Sequence, residues 1–149
     1  MFVRQMLFSD VDRVYEIVCR SLEEGYLREV FLYFIGGWPS GQLVAVNEFG
    51  QVVGFLSGAR LDQDKASVPL FAVDPAYRKK GVGTRLMEEF SLQVLMDGMQ
   101  YIQLEVKDTN AGAIAFYKKA GFYPVAYLDG FYNGGGNAVR MVRSAQGNS

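Results

Sequence analysis

Histidine is absent from this chain of 149 residues, and cysteine occurs once, as Cys19. Those two scarcities exclude a good deal of chemistry. A Ser-His-Asp or Cys-His nucleophile system needs an imidazole base, and a His-ligated zinc or iron site needs imidazole ligands, so neither can be built here. A lone cysteine also forbids a disulfide within the chain. Proline is scarce, at four residues, and no run approaches the roughly 18 consecutive apolar residues that would span a bilayer. Neither sign of charge dominates. Fifteen Lys plus Arg stand against 16 Asp plus Glu, and a net charge of −1 argues against binding nucleic acid through a general basic field. The N-terminal residues lack the charged, apolar and small-residue segments of a secretory signal, so a cytoplasmic protein without membrane contact is expected. No metal site is expected either. Acid–base work falls to Glu, Asp, Tyr, Lys, water or the backbone.

Apolar residues, by contrast, make up 50% of the chain. That is enough to bury the core of one domain, and the length is too short for two ordinary ones. Cys19, surrounded in sequence by Val14, Tyr15, Ile17 and Val18, is expected to be a buried structural thiol.

The patterning predicts a strand over 2–7 and then a helix over about 10–22, started by Ser9 and Asp12 at capping-box spacing. A second, aromatic helical stretch runs from Tyr26 to Ile35 and stops at Gly36-Gly37-Trp38-Pro39. Gln42–Glu48 and Gln51–Arg60 read as a hairpin, and Ser67–Val73 as a further strand closed by Asp74-Pro75. Val82, Leu86, Phe90 and Val94 repeat every four residues along a long amphipathic helix over Gly81–Asp97. A strand over Tyr101–Val106, a helix over Ala111–Ala120 capped by Asn110, and a last hairpin with a wide glycine-rich loop complete the chain. The expectation is one mixed α/β (α+β) domain over 1–149. Its sheet is seven-stranded and mostly antiparallel, flanked by about four helices, and a tail frays from about 144 to 149.

One stretch points to chemistry. After the strand ending at Val73, Arg78-Lys79-Lys80-Gly81-Val82-Gly83-Thr84 opens the long helix. Two glycines let backbone approach a ligand, the helix N-terminus adds partial positive charge, and three cations precede it. Such a loop suits a pyrophosphate; a solvated basic turn is the plain alternative. A Walker loop is absent, and the dinucleotide fingerprint fails because Leu86 stands where its third glycine belongs. Further on, Glu105 ends a strand, Asn110 begins a helix, and Tyr117 lies seven residues along it. That is about 10.5 Å and nearly two turns, so Asn110 and Tyr117 share a face.

Taken together, Arg-x-x-Gly-x-Gly after a strand and Leu-Glu-Val-Lys-x-x-Asn-x-x-Ala-Ile-x-Phe-Tyr-x-Lys-x-Gly-Phe resemble the GNAT superfamily of acetyl-CoA-dependent N-acetyltransferases. Within it the pattern is similar to protein N-terminal (Nα) acetyltransferases, of both the archaeal catalytic-subunit and the bacterial ribosomal-protein-alanine type. The likeness spans about residues 2–143. It implies acetyl-CoA as cosubstrate, held by backbone at Phe71, Ala72 and Val73, by Arg78, Lys79, Lys80, Gly81, Val82, Gly83 and Thr84 around the pyrophosphate, and by Asn110 and Tyr117. A backbone N–H near Ala72 or Val73 is implied as oxyanion donor, and Tyr117 as general acid. Glu105, Glu24 or water remain open as the base.

Two further segments resemble the peptide-binding side of the N-terminal acetyltransferases. Glu23-Glu24-Gly25-Tyr26 matches their substrate-side segment, which implies acceptor contacts from Glu24 and Tyr26. Leu128–Ala138 matches their last hairpin loop, with Phe131-Tyr132 where a Tyr-Tyr pair is usual and Gly136-Asn137 where acidic residues are common. The expected acceptor is therefore a protein or peptide N-terminus. A small amine such as an antibiotic, polyamine or amino acid is an alternative, and a non-catalytic acyl-CoA-binding domain is an alternative of another class. The chain is expected to act as a monomer or homodimer.

Overall fold

The computed structural model describes residues 1–21 and 28–147. In chain order these form β1 (Phe2–Gln5), α1 (Val11–Ser21), α2 (Glu29–Gly37), β2 (Gln42–Val46), β3 (Val52–Arg60), β4 (Lys65–Val73), α3 (Val82–Met96), β5 (Tyr101–Lys107), α4 (Ala111–Lys119), β6 (Tyr123–Leu128) and β7 (Ala138–Ser144). The order of strands and helices is the one the patterning predicts. One sheet runs β1-β2-β3-β4-β5-β7-β6. Its ladders are antiparallel except for β4 beside β5.

Helices cover both faces. On one, Val11, Val14, Ile17 and Val18 of α1 and Phe31 and Ile35 of α2 bury against Val44, Phe55 and Leu70 of the sheet. On the other, Val82, Leu86, Phe90 and Val94 of α3 pack on Leu43, Leu56 and Ile102, with Ala113 and Ile114 of α4 beside them. The period-four stripe expected for α3 is its buried face. Phe90 is wholly enclosed, and a β-carbon on Gly58 would lie 2.5 Å from its ring, so the bare backbone of β3 there makes room for the phenyl group.

Two local expectations are corrected. Cys19 is exposed, not buried. It follows Val18 by one helical step of about 100°, which carries it off the stripe that Val14, Ile17 and Val18 define. At the start of α1, the Ser9–Asp12 box gives way to Asp10, whose carboxylate accepts from the Leu7 N–H at 2.8 Å and from the Arg4 guanidinium at 2.7 and 3.0 Å. The ion pair to β1 outcompetes a purely local cap. At the other end, Ala145 is buried and donates its N–H to Gln100 O at 2.8 Å.

The feature that positions the site is the parting of β4 from β5. Their ladder covers only Lys65↔Tyr101, Ala66↔Ile102 and Ser67↔Gln103. Next on β4, after Val68, comes Pro69, which has no N–H to give. The β3–β4 register also shifts, between Ser57 and Ala59. Beyond that point the strands diverge and a wedge opens between Val68–Val73 and Leu104–Lys107.

Candidate active site

One side of the wedge is built from backbone. Asp74 donates its N–H to Val53 O at 2.8 Å. Alternation along the antiparallel ladder then commits Ala72 to Phe55 and turns the N–H and C=O groups of Phe71 and Val73 away from β3. Val73 O accordingly accepts from Arg78 Nε at 3.2 Å and from Ser21 Oγ at 3.4 Å. Of the two positions expected to offer an N–H, Ala72 belongs to the sheet and Val73 faces the wedge, together with Phe71.

The loop that follows is anchored by Asp74, which is 2% exposed. Its carboxylate accepts from the Ala76 N–H at 2.9 Å, from Arg13 Nη2 at 2.7 Å and from Arg20 Nη1 at 3.1 Å. Burial by itself would raise this carboxyl; the Ala76 N–H and the two guanidinium groups outweigh it and hold the group below the usual carboxylate range. Two of those partners lie on α1, so the helix and the loop are locked together. After the turn Pro75–Tyr77, Lys79 (φ 62°) and Gly81 (φ 82°) adopt left-handed backbone. A side chain at 81 would be strained, and Lys79 carries that strain already. The two glycines do different work. Gly81 supplies conformation, whereas a β-carbon on Gly83 would press on the Phe116 ring at 3.3 Å and the Phe71 ring at 3.4 Å.

A cavity of about 620 Å³ lies along this edge. Of the residues expected to hold acetyl-CoA, all but Lys80 line it. Lys80 instead places its Nζ 5.5 Å from the centroid of the Tyr77 ring. A second cavity, of about 720 Å³, adjoins it and is lined by Glu105, Lys107, Phe131 and Tyr132 among others. Ser21, Phe71, Asn110, Ala113 and Tyr117 line both, so the two cavities join among these five.

Tyr117 sits in a cluster of rings, with centroids 5.5 Å from Phe116, 5.7 Å from Phe122 and 6.3 Å from Phe71. Burial, with Tyr132 nearby, pushes its phenol well above the ordinary value, so the hydroxyl keeps its proton at any working pH. Asn110 caps α4: its Oδ1 accepts the Ala113 N–H at 3.1 Å, which leaves Nδ2 for a ligand. Glu105 faces the second cavity with its Oε2 bonded by Gln103 Nε2 and by Arg140 Nε, each at 3.0 Å. Phe131 and Tyr132 stack edge to face at 5.1 Å, and Lys107 Nζ lies 5.5 Å from the Tyr132 ring centroid. Their loop is closed by Asn137, whose Oδ1 accepts the Gly130 N–H at 2.8 Å. Asn137 thus serves as a staple across the loop.

Glu24 and Tyr26 lie outside the described residues. Sequence reasoning missed Ser21, Gly112, Ala113 and Phe116. The last three lie on α4 beside Asn110 and Tyr117, and of them Ala113 shares their helical face and was within reach of periodicity. Ser21, at the end of a helix 50 residues before the wedge edge at Phe71, carried no signal.

A splayed parallel pair with a cationic turn and a helix N-terminus behind it defines a class. Residues 11–122 match the family model described as "Acetyltransferase (GNAT) family", and the chain belongs to that family. Among solved structures it is similar to Ard1 from Thermoplasma volcanium, at 36% identity and a TM-score of 0.92, with 96% of each chain covered. Its fold also matches the ribosomal-protein-S18-alanine N-acetyltransferase from Escherichia coli, at 23% identity and a TM-score of 0.83, over 97% of this chain and 93% of that one. Among curated proteins it is 29% identical to N-alpha-acetyltransferase 30 of Xenopus laevis over 92% of this chain, and it spans 50% of that relative's length. Among the described residues no cluster of His, Cys, Asp or Glu could hold a metal ion, and no helix is long and apolar enough to cross a membrane.

Proposed function

We propose that this chain transfers the acetyl group of acetyl-CoA to the N-terminal α-amine of a protein or peptide. The observation that carries the reading is the wedge itself, where a backbone-lined cavity and a side-chain-lined cavity meet at Tyr117 and Asn110. The donor cavity fits a pantetheine arm ending in a pyrophosphate. Phe71 and Val73 present edge amides that a peptide-like arm can pair with, and the backbone from Lys79 to Thr84 presents N–H groups at the start of α3 that lack helical partners.

Bound there, acetyl-CoA supplies the activated acetyl group. The chain's own residues do the rest. The Val73 N–H donates to the carbonyl oxygen where negative charge develops. Tyr117, held protonated, donates its O–H to the departing sulfur. The attacking nitrogen must shed one more proton as the amide forms, and that proton restores the Tyr117 phenol. Asn110 Nδ2 fixes the arm, and Glu105 takes the ammonium proton directly or through water.

The relatives named above favour an N-terminal acceptor, and so do magnitudes. An α-amine of pKa about 7.7–8.0 is about a tenth neutral at pH 7, whereas a lysine near 10.4 is under about 0.1% neutral, a difference of about 3.5 kcal/mol in deprotonation. A chain with no imidazole is better matched to the easier amine. Acetylation of a peptide library with varied first residues, run beside free lysine and spermidine, tests the proposal. Peptide α-amines should be modified and the free amines left. Modification of spermidine or lysine alone would replace this reading with that of a small-amine enzyme.

A further inference from the structure

Glu105 is held by two side chains from two different strands. Gln103 precedes it by two on β5, and Arg140 faces it across the β5–β7 ladder, so all three stand on one face of the sheet. Both donors go to the same oxygen: Gln103 Nε2 and Arg140 Nε each lie 3.0 Å from Oε2. Two bonds from two strands converge on one carboxylate oxygen and fix the plane of the group. Glu105 also lines the acceptor cavity. With Oε2 occupied, Oε1 is the oxygen available to a proton arriving from that cavity. Neither Gln103 nor Arg140 lines either cavity, so neither meets substrate.

We propose that Arg140, with Gln103, is a positioning residue that aims Oε1 of Glu105 at the acceptor amine. This rests on the reading of Glu105 as the base. The arrangement answers a need particular to the chain. An imidazole base is commonly oriented by a partner on its second nitrogen, and a carboxylate has no second nitrogen; here the partner occupies the second oxygen instead. Arg140 suits the task because its planar guanidinium holds a fixed direction, which a lysine ammonium on a flexible stem does less well. A carboxylate left to rotate would lose reach to the amine, and misplacement on the scale of 1 Å costs up to about 100-fold in rate.

The test is a double-mutant cycle read by kcat, the acceptor KM and the acetyl-CoA dissociation constant. Arg140→Met should lower kcat about 10- to 100-fold, with acetyl-CoA binding unchanged and Arg140→Lys recovering part of the loss. Combined with Glu105→Gln, the Arg140→Met change should cost almost nothing further, because the group it aims is gone. Gln103→Leu should show the same dependence on Glu105 to a smaller degree, and it serves as the probe if Arg140→Met does not fold. An Arg140→Met enzyme with wild-type kcat, or one that loses the same factor with and without Glu105, overturns the positioning role and leaves Glu105 as base. A Glu105→Gln enzyme of wild-type rate overturns the base assignment and the positioning role with it.

Discussion

The two sides of the wedge are made in different ways. The donor side is a backbone surface: edge N–H groups of Phe71 and Val73 turned away from β3, a left-handed Gly81, and a helix N-terminus. The acceptor side is a side-chain surface, assembled from β5, the β6–β7 loop and the end of α1, with Glu105 oriented from a neighbouring strand. A backbone surface tolerates most side-chain changes and fails when space or dihedral angles are altered. A side-chain surface fails one group at a time and can be retuned the same way. One half of the site can therefore stay constant while the other changes its acceptor.

That contrast can be broken at the seam. Tyr117 belongs to both cavities, so Tyr117→Phe should cut kcat about 100-fold while leaving acetyl-CoA binding, measured by calorimetry, close to wild type. A wild-type rate would reduce Tyr117 to a packing residue. Gly83→Val attacks the donor side alone, driving a side chain into the Phe116 and Phe71 rings. Overpacking of about 1–3 kcal/mol should weaken acetyl-CoA binding by roughly 10-fold or more, with little change in the choice of acceptor.

Asp74 ties the loop to α1, so its loss should register as stability. Asp74→Asn should cost about 2 kcal/mol in denaturant unfolding at pH 7, kept modest because Arg13 and Arg20 regain water. The carboxyl is held below its ordinary value of about 3.9 in the folded chain. Its contribution is therefore complete above that value and is lost as the pH falls through the lowered one, where mutant and wild type should converge. The smallest effect is expected far from both surfaces: Cys19→Ser should change stability by less than about 0.5 kcal/mol, because the thiol is exposed.

The same contrast explains what could be read from the chain beforehand. Donor features lie within contiguous stretches, Phe71–Thr84 and Asn110–Tyr117, where spacing and glycine placement state the geometry directly. The pairings that hold the site do not. Arg13 and Asp74 are 61 residues apart, and Arg140 and Glu105 are 35 apart; each pairing exists only once the sheet has set its register. The apolar neighbours of Cys19 suggest burial, but its helical phase sets it one step outside the stripe of Val14, Ile17 and Val18. The exposed side of a helix begins one step from the buried one.

The central claim is that acetyl goes to an α-amine. One peptide with a free N-terminus and an internal lysine, incubated with the chain and isotope-labelled acetyl-CoA and then sequenced by mass spectrometry, places both amines in one competition. The account predicts label on the N-terminal nitrogen and none on the lysine. Label on the lysine, or none on the peptide while a small amine is consumed, would contradict it.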